Sequence, residues 1–157
     1  MASRATFEVQ LEPFPARSRT AAGKVNGLDT EIMSMSFADK ILITISQGGR
    51  LAHWIHVPLD TTSPDPTTSA SANFSDDPDA MSSDLLPRVD LTATTVLGGT
   101  VPERNTVGQL VATQTASAIT TKNPDEKRLL VMGLGLEKAE LDRAAFMDLL
   151  ELVLGIV

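Results

Sequence analysis

The chain has 157 residues, of which 42% are hydrophobic, 4% aromatic and none cysteine, and it carries a formal net charge of −7. That is enough apolar material for one domain whose core is built mainly from Ile, Leu, Val, Met and Ala. The composition excludes disulfides, thiolate metal sites and a cysteine nucleophile, and with no basic cluster a nucleic-acid partner is not expected.

Met1–Pro15 mixes a short apolar run (Phe7, Val9, Leu11) with Pro13 and Pro15, and reads as an arm, either a peripheral strand or disordered. It has no apolar core of a secretory signal, and no stretch approaches the ~18 apolar residues that span a bilayer. A soluble protein of the cytoplasm, with the nucleus as a second compartment, and no membrane partner are therefore expected.

The domain is expected to run from 16 to 157. Ala16–Val25 is a candidate first strand, and Asn26-Gly27 is a turn signal that accepts positive φ at both positions. Thr30–Phe37 alternates, with Met33, Met35 and Phe37 on one face. Lys40–Ser46 is the strongest strand pattern in the chain: Ile41, Ile43 and Ile45 share one face, and Leu42, Thr44 and Ser46 the other. Gln47-Gly48-Gly49-Arg50 reads as a second hairpin turn into Leu51–Leu59. There Leu51, His53, Ile55, Val57 and Leu59 point one way, and Ala52, Trp54 and His56 the other.

Asp60–Arg88 follows, 29 residues of which 20 are Asp, Ser, Thr or Pro. Six Asp and one Arg put −5 of the net charge here. Such a stretch lacks the apolar area to offset chain entropy and is expected to be a disordered acidic insert. Asp76, Asp77, Asp79 and Asp84 lack the Gly and terminal Glu of an EF-hand loop, so a solvated linker is the reading. Ser75, followed by two Asp, fits a site for an acid-directed kinase.

Asp90–Leu97 reads as a strand, closed by Gly98-Gly99. A helix opens at Pro102 or Asn105, with Val107, Leu110, Val111, Gln114 and Ala118 at helical spacing, and stops at Asn123-Pro124. Arg128–Leu134 is a continuous apolar run and predicts a strand buried on both faces. Glu137–Leu154 predicts a final helix, its stripe formed by Leu141, Ala145, Leu149, Leu152 and Ile156, widened by Phe146 and Val153. The expected fold is therefore α+β, a single domain with a six-stranded antiparallel sheet in the order β-β-β-β-β-α-β-α and two helices on one face.

If the helices cover Ile41, Ile43, Ile45, Ile55 and Val57, the opposite face shows Leu42, Thr44, Trp54, His56, Thr92, Thr94 and Val96. A mixed apolar and hydroxyl surface with one Trp suits a protein interface, and these are the candidate partner-contact residues; the alternative is an ordinary amphipathic surface with Trp54 covered by the N-terminal arm. Catalytic chemistry has no comparable support. His53 and His56 are three apart and point to opposite faces of a strand, so no metal pair forms. Gly133 and Gly135 precede Leu136, where a dinucleotide fingerprint would continue towards a third glycine; they read instead as permitting the turn and close helix–sheet packing. Gly48-Gly49-Arg50 could cradle an anion, but a hairpin turn accounts for it. No Ser, His and acid set converges. Neither cofactor nor metal is expected, and the protein is not expected to be an enzyme.

The stretch Thr30–Leu59 resembles the proteasome assembly chaperone 3 family. The resemblance rests on Thr30-Glu31, alternating apolars into Phe37, the Ile41-Leu42 strand, Gln47 with Gly49, and the strand after Arg50. It resumes at Val96-Leu97-Gly98 and Pro102-Glu103, and the helix, strand, helix order that follows is similar too. Departures are the long insert and the extended N-terminus. The resemblance implies a non-enzymatic chaperone that pairs with a subunit like proteasome assembly chaperone 4. The pair would bind proteasome α-type subunits, including the fifth, promote correct α-ring assembly of the core particle, and leave as β-type subunits join. It implies the same six-stranded, two-helix fold, dimerising through the sheet, with a homodimer open to the isolated chain. The alternatives are a small-ligand-binding or enzymatic α+β domain, or an adaptor of another complex.

Overall fold

The computed structural model describes residues 16–60 and 90–157. The arm Met1–Pro15 and all but the first residue of the acidic insert lie outside the described residues.

The chain opens as a hairpin, β1 (Arg17–Val25) against β2 (Leu28–Ser36). Its two-residue turn has φ 54° at Asn26 and 77° at Gly27, the paired left-handed geometry whose twist matches that of the flanking strands. β3 (Lys40–Gln47) adds antiparallel to β2. β4 (His53–Pro58), β5 (Thr94–Leu97), α1 (Pro102–Lys122), β6 (Leu129–Gly135) and α2 (Arg143–Leu154) follow. The six-strand, two-helix α+β domain is as the sequence predicts, in the predicted order.

The pairing differs from the predicted one at the centre. The spatial order is β1-β2-β3-β6-β4-β5, so β3 and β4 do not form a hairpin. β6 sits between them, parallel to β3 and antiparallel to β4, and the sheet is mixed rather than purely antiparallel. Gly48 and Gly49, at φ 63° and 70°, do turn the chain. The turn then carries it across the end of β6, where Ala52 N–H donates to the Leu134 carbonyl at 3.0 Å. Because β5 and β6 both run antiparallel to β4, they are parallel to each other, and α1 is the crossover of a split β-α-β unit with β4 in its middle.

One face of the sheet holds the core. The rows Ile32–Ile45–Leu134–His53 and Ile43–Met132–Ile55 are buried across it. α1 adds Val111, Ala112, Ala116 and Ile119, and α2 adds Ala145, Leu149 and Val153. α1 is rotated relative to the predicted stripe: Gly108, Thr115 and Thr120 face inward, while Leu110 stays 43% exposed. The inward threonines bond back into their own helix, Thr115 Oγ1 to the Val111 carbonyl at 2.8 Å and Thr120 Oγ1 to that of Ala116 at 3.0 Å. Their hydroxyls are thereby satisfied without a partner in the core. Gly108 lets the helix come close, since a Cβ there would lie 2.6 Å from His53 Nδ1.

Three elements are shorter than predicted. β4 runs His53–Pro58 rather than Leu51–Leu59, and Leu51 is left exposed. α2 begins at Arg143, not Glu137, with Asp142 as its N-cap, the carboxylate accepting from Ala145 N–H at 2.7 Å. The preceding backbone is held by side chains: Gln47 Oε1 accepts from Glu137 N–H at 2.9 Å, and Arg104 Nη1 donates to the Leu136 carbonyl at 2.8 Å. β5 covers only the end of Asp90–Leu97, because Leu91 turns into the core and residues 90–93 leave the ladder.

Arg128, just before β6, closes the adjoining corner. Its Nε and Nη2 donate to the two oxygens of Glu126 at 2.8 and 2.7 Å. Its Nη1 donates to Ser36 Oγ at 2.6 Å and to the Phe37 carbonyl at 2.8 Å. The bidentate guanidinium holds the Glu126 carboxyl below its usual range, against the opposing effect of burial. Replacing Arg128 with Met strands a buried carboxylate and is expected to cost about 2–4 kcal/mol in urea unfolding. The double variant Arg128→Met, Glu126→Leu should recover a large part of that loss. Equal losses in the single and double variants would show that the pair is not coupled.

Candidate interaction face

The helices lie on one side of the sheet. The other side is covered by no helix or strand among the described residues, and it is the candidate functional site. The strand register brings Thr20, Met33, Thr44, Gly133, Trp54 and Leu97 into one row. Ser18, Met35, Leu42, Val131, His56 and Thr94 form the next. Six strands at about 4.8 Å make each row roughly 24 Å long. Neither row contains an Asp, Glu, Lys or Arg, and His56 is the one titratable side chain in them. Charge returns at the margins, with Glu31 beyond one row and Lys40 beyond the other. Uncharged centre and charged margin is the distribution of a protein interface.

Trp54 is the largest side chain in this patch. Its six-membered ring lies on Gly133 of the neighbouring strand, where an added Cβ would come 2.9 Å from both Cη2 and Cζ3. The missing side chain leaves a flat bed for the indole, which is half-buried. Gly133 therefore serves the open face, not helix–sheet packing as its place in the sequence suggests. Gly135 likewise admits backbone: a Cβ there would collide with the Arg50 carbonyl.

Of the candidates from sequence, Leu42, Thr44, Trp54, His56 and Thr94 come together on this face. Thr92 and Val96 do not join the rows. Thr92 precedes β5 and is outside the ladder. Val96 falls at a break in register, where Trp54 pairs with Leu97 and Ile55 with Thr95, so the alternation that placed Val96 beside Trp54 slips by one residue. Leu97 takes its place, 63% exposed. Met33 and Met35, which alternation puts on one face without showing that it is the open one, complete the patch together with Val131.

His53, facing the helices, is 1% exposed. Its Nε2 lies 3.2 Å from Thr95 Oγ1, which itself donates to Asn105 Oδ1 at 2.6 Å. With its single proton committed, Thr95 accepts from Nε2–H, and Nδ1 is buried without a partner. The trio bridges β4, β5 and α1. Burial lowers the His53 pKa; contact with Asn105 opposes that, and the charge of Arg104 reinforces it. Among the described residues no group of three or more His, Cys, Asp or Glu is placed to hold a metal, and none of their helices is long and apolar enough to cross a membrane.

No protein-family model and no curated protein matches the chain. Among solved structures, it is similar to a chain of the crystal structure of "a Novel Chaperone Complex for Yeast 20S Proteasome Assembly". The TM-score is 0.52 at 16% sequence identity, over 87% of this chain and 96% of that one. At that identity the likeness establishes a shared fold.

Two outcomes are expected. Gly133→Ala lifts the indole, so the emission of the chain's single Trp should shift and stability fall by about 1–2 kcal/mol; unchanged fluorescence would mean that Trp54 does not rest on Gly133. For His53, the folded pKa lies below the unfolded 6.5. Its contribution is therefore fully present above about pH 6.5 and lost as pH falls from there through the folded value. Only two histidines are present, so NMR titration should show one imidazole resonance, assigned to His53, moving below that pH.

Proposed function

We propose that this chain is a non-enzymatic chaperone of proteasome core-particle assembly that works by docking through the open face of its sheet. The observation that carries this reading is that face: two rows crossing all six strands without Asp, Glu, Lys or Arg, one of them with Trp54 laid on Gly133. The fold shared with a chain of a yeast 20S proteasome assembly chaperone complex supports it, as does the resemblance of Thr30–Leu59 to the chaperone 3 family.

In this reading the open face takes a related small subunit, sheet against sheet, forming a heterodimer. The pair binds a proteasome α-type subunit, the fifth among them, and favours the correct neighbour in the α-ring. Templating of this kind needs surface complementarity and no bond chemistry, so no cofactor enters. Release follows when β-type subunits compete for the same side of the ring. Cytoplasm and nucleus are the compartments such a role requires. The competing enzymatic or ligand-binding reading needs a cavity that offers His53 or His56 beside a carboxylate. His53 instead contacts Thr95 and is sealed beneath α1, so that reading gains nothing from the site.

The test is affinity capture of the full chain from its native extract, with mass spectrometry of what is retained. Recovery of α-type subunits and one small partner, without mature β-type subunits, is expected; recovery of no proteasome component sinks the proposal. With the partner in hand, Trp54→Asp combined with Thr94→Arg should weaken the pair by at least ~30-fold, as loss of a central aromatic anchor does. Wild-type affinity in that variant would remove the open face from the mechanism.

A further inference from the structure

A second surface lies on the helix side of the sheet, at the start of β1. Arg17 and Arg19 alternate onto that side, opposite Ser36 and Ser34 across the ladder. α2 covers only the far half of the strand, where Leu152 packs so closely on Gly23 that a Cβ there would be 2.9 Å away. The near half is left open. A cleft of about 240 Å³ forms between it and the C-terminal ends of the two helices.

The cleft has a mixed character. Ile41, Ile119 and Ile156 give it an apolar floor, and Arg17, Arg19 and Lys122 stand around it. Arg128 also lines it, but its charge is committed to Glu126. Lys122 Nζ donates to the Val157 carbonyl at 2.6 Å and keeps two further N–H groups. Arg17 and Arg19 are exposed and make no hydrogen bond or ion pair among the described residues. Three cations thus surround an apolar floor in a chain whose net charge is −7.

We infer that this cleft binds an acidic peptide segment of a partner protein, with an aliphatic side chain on the isoleucine floor and flanking carboxylates on Arg17, Arg19 and Lys122. The charge at the rim calls for an anionic ligand. The centre of the cleft excludes a compact one. Both helices present their C-terminal ends there, and the partial negative charge of those carbonyls repels a phosphate seated between them. A ligand that fits keeps its charges at the periphery and puts apolar surface in the middle, as a peptide with acids around one aliphatic residue does. This inference rests on the cleft alone and stands or falls apart from the chaperone reading.

The probe is a fluorescein-labelled nonapeptide with a central Leu flanked by Glu, titrated into the full chain and followed by anisotropy. Saturable binding is expected. It should weaken by about tenfold or more in the Arg17→Glu, Arg19→Glu variant, and steeply with salt, because the pairs are at the surface. Lys122→Glu, at the end of α1, tests the same rim independently of β1, and circular dichroism checks that each variant folds. A peptide with Gly in place of Leu should bind several-fold more weakly. The control Arg50→Glu, Lys138→Glu makes the same charge change at exposed positions outside the cleft and should leave affinity within about twofold. Absence of saturable binding, unchanged affinity in the rim variants, equal loss in the control, or full displacement by millimolar inorganic phosphate at constant ionic strength would each overturn the assignment.

Discussion

The placement of β6 between β3 and β4 is the constraint on which the rest of the molecule depends. A strand inserted there must find its backbone partners on both sides, parallel to Lys40–Ser46 and antiparallel to His53–Pro58. Three local features follow from that double pairing. Gly133 is needed because Trp54 on the adjacent strand lies across it, and Gly135 because the Arg50 carbonyl passes against it. Arg128 is needed because the chain enters β6 beside the end of β2, where Ser36 and the Phe37 carbonyl would otherwise go unpaired on this side. The strand that organises the core therefore also shapes the open face.

Coverage on one side only explains the contrast between the two surfaces. Isoleucines on β3 alternate with Leu42, Thr44 and Ser46, so every residue that fixes the core fixes its neighbour on the open side. On the helix side the fit is close: Gly108 meets His53, and inward threonines close their hydroxyls within α1. Small residues let the helix sit low on the sheet, and dispersion contacts grow with that approach. On the open side the same strands leave Met33, Met35, Leu42 and Val131 partly exposed, around a half-buried indole. A Met-containing patch adapts its shape more readily than a branched aliphatic one, which fits the docking role proposed for this face.

The sequence shows what each strand is more clearly than what it pairs with. Alternation in Lys40–Ser46 and Leu51–Leu59 identifies the core face correctly, and with it Leu42, Thr44, Trp54 and His56 on the other. It cannot show that Gly48-Gly49 turns the chain away from a hairpin, because the partner that displaces β4 arrives after the insert and a helix. Helix α1 misleads for a different reason. Its inward face is chosen by size, so Gly108, Ala112 and Thr115 outrank Leu110, and a stripe drawn from hydrophobicity is rotated off the true one. Helix α2 carries a strong stripe, and Ala145, Leu149 and Ile156 are buried as that stripe predicts. Val96 is named in place of Leu97 because a register break has no marker in four residues of Thr, Thr, Val and Leu. Gly133 becomes meaningful only once Trp54 is known to lie beside it.

β1 links the two surfaces. Its residues alternate between them, Arg17 and Arg19 towards the cationic cleft, Ser18 and Thr20 towards the open face. It is also the outer strand of the sheet, held by β2 alone and, at its far half, by α2 through Gly23 and Leu152. An edge strand with one partner has the least cooperative support in a sheet and opens first. Ligand pairing with Arg17 and Arg19 would hold the near half of β1 in place, and that half contributes Ser18 and Thr20 to the rows on the opposite face. The two surfaces lie on opposite sides of the sheet, so a subunit on the proposed docking face and a peptide in the proposed cleft would not overlap.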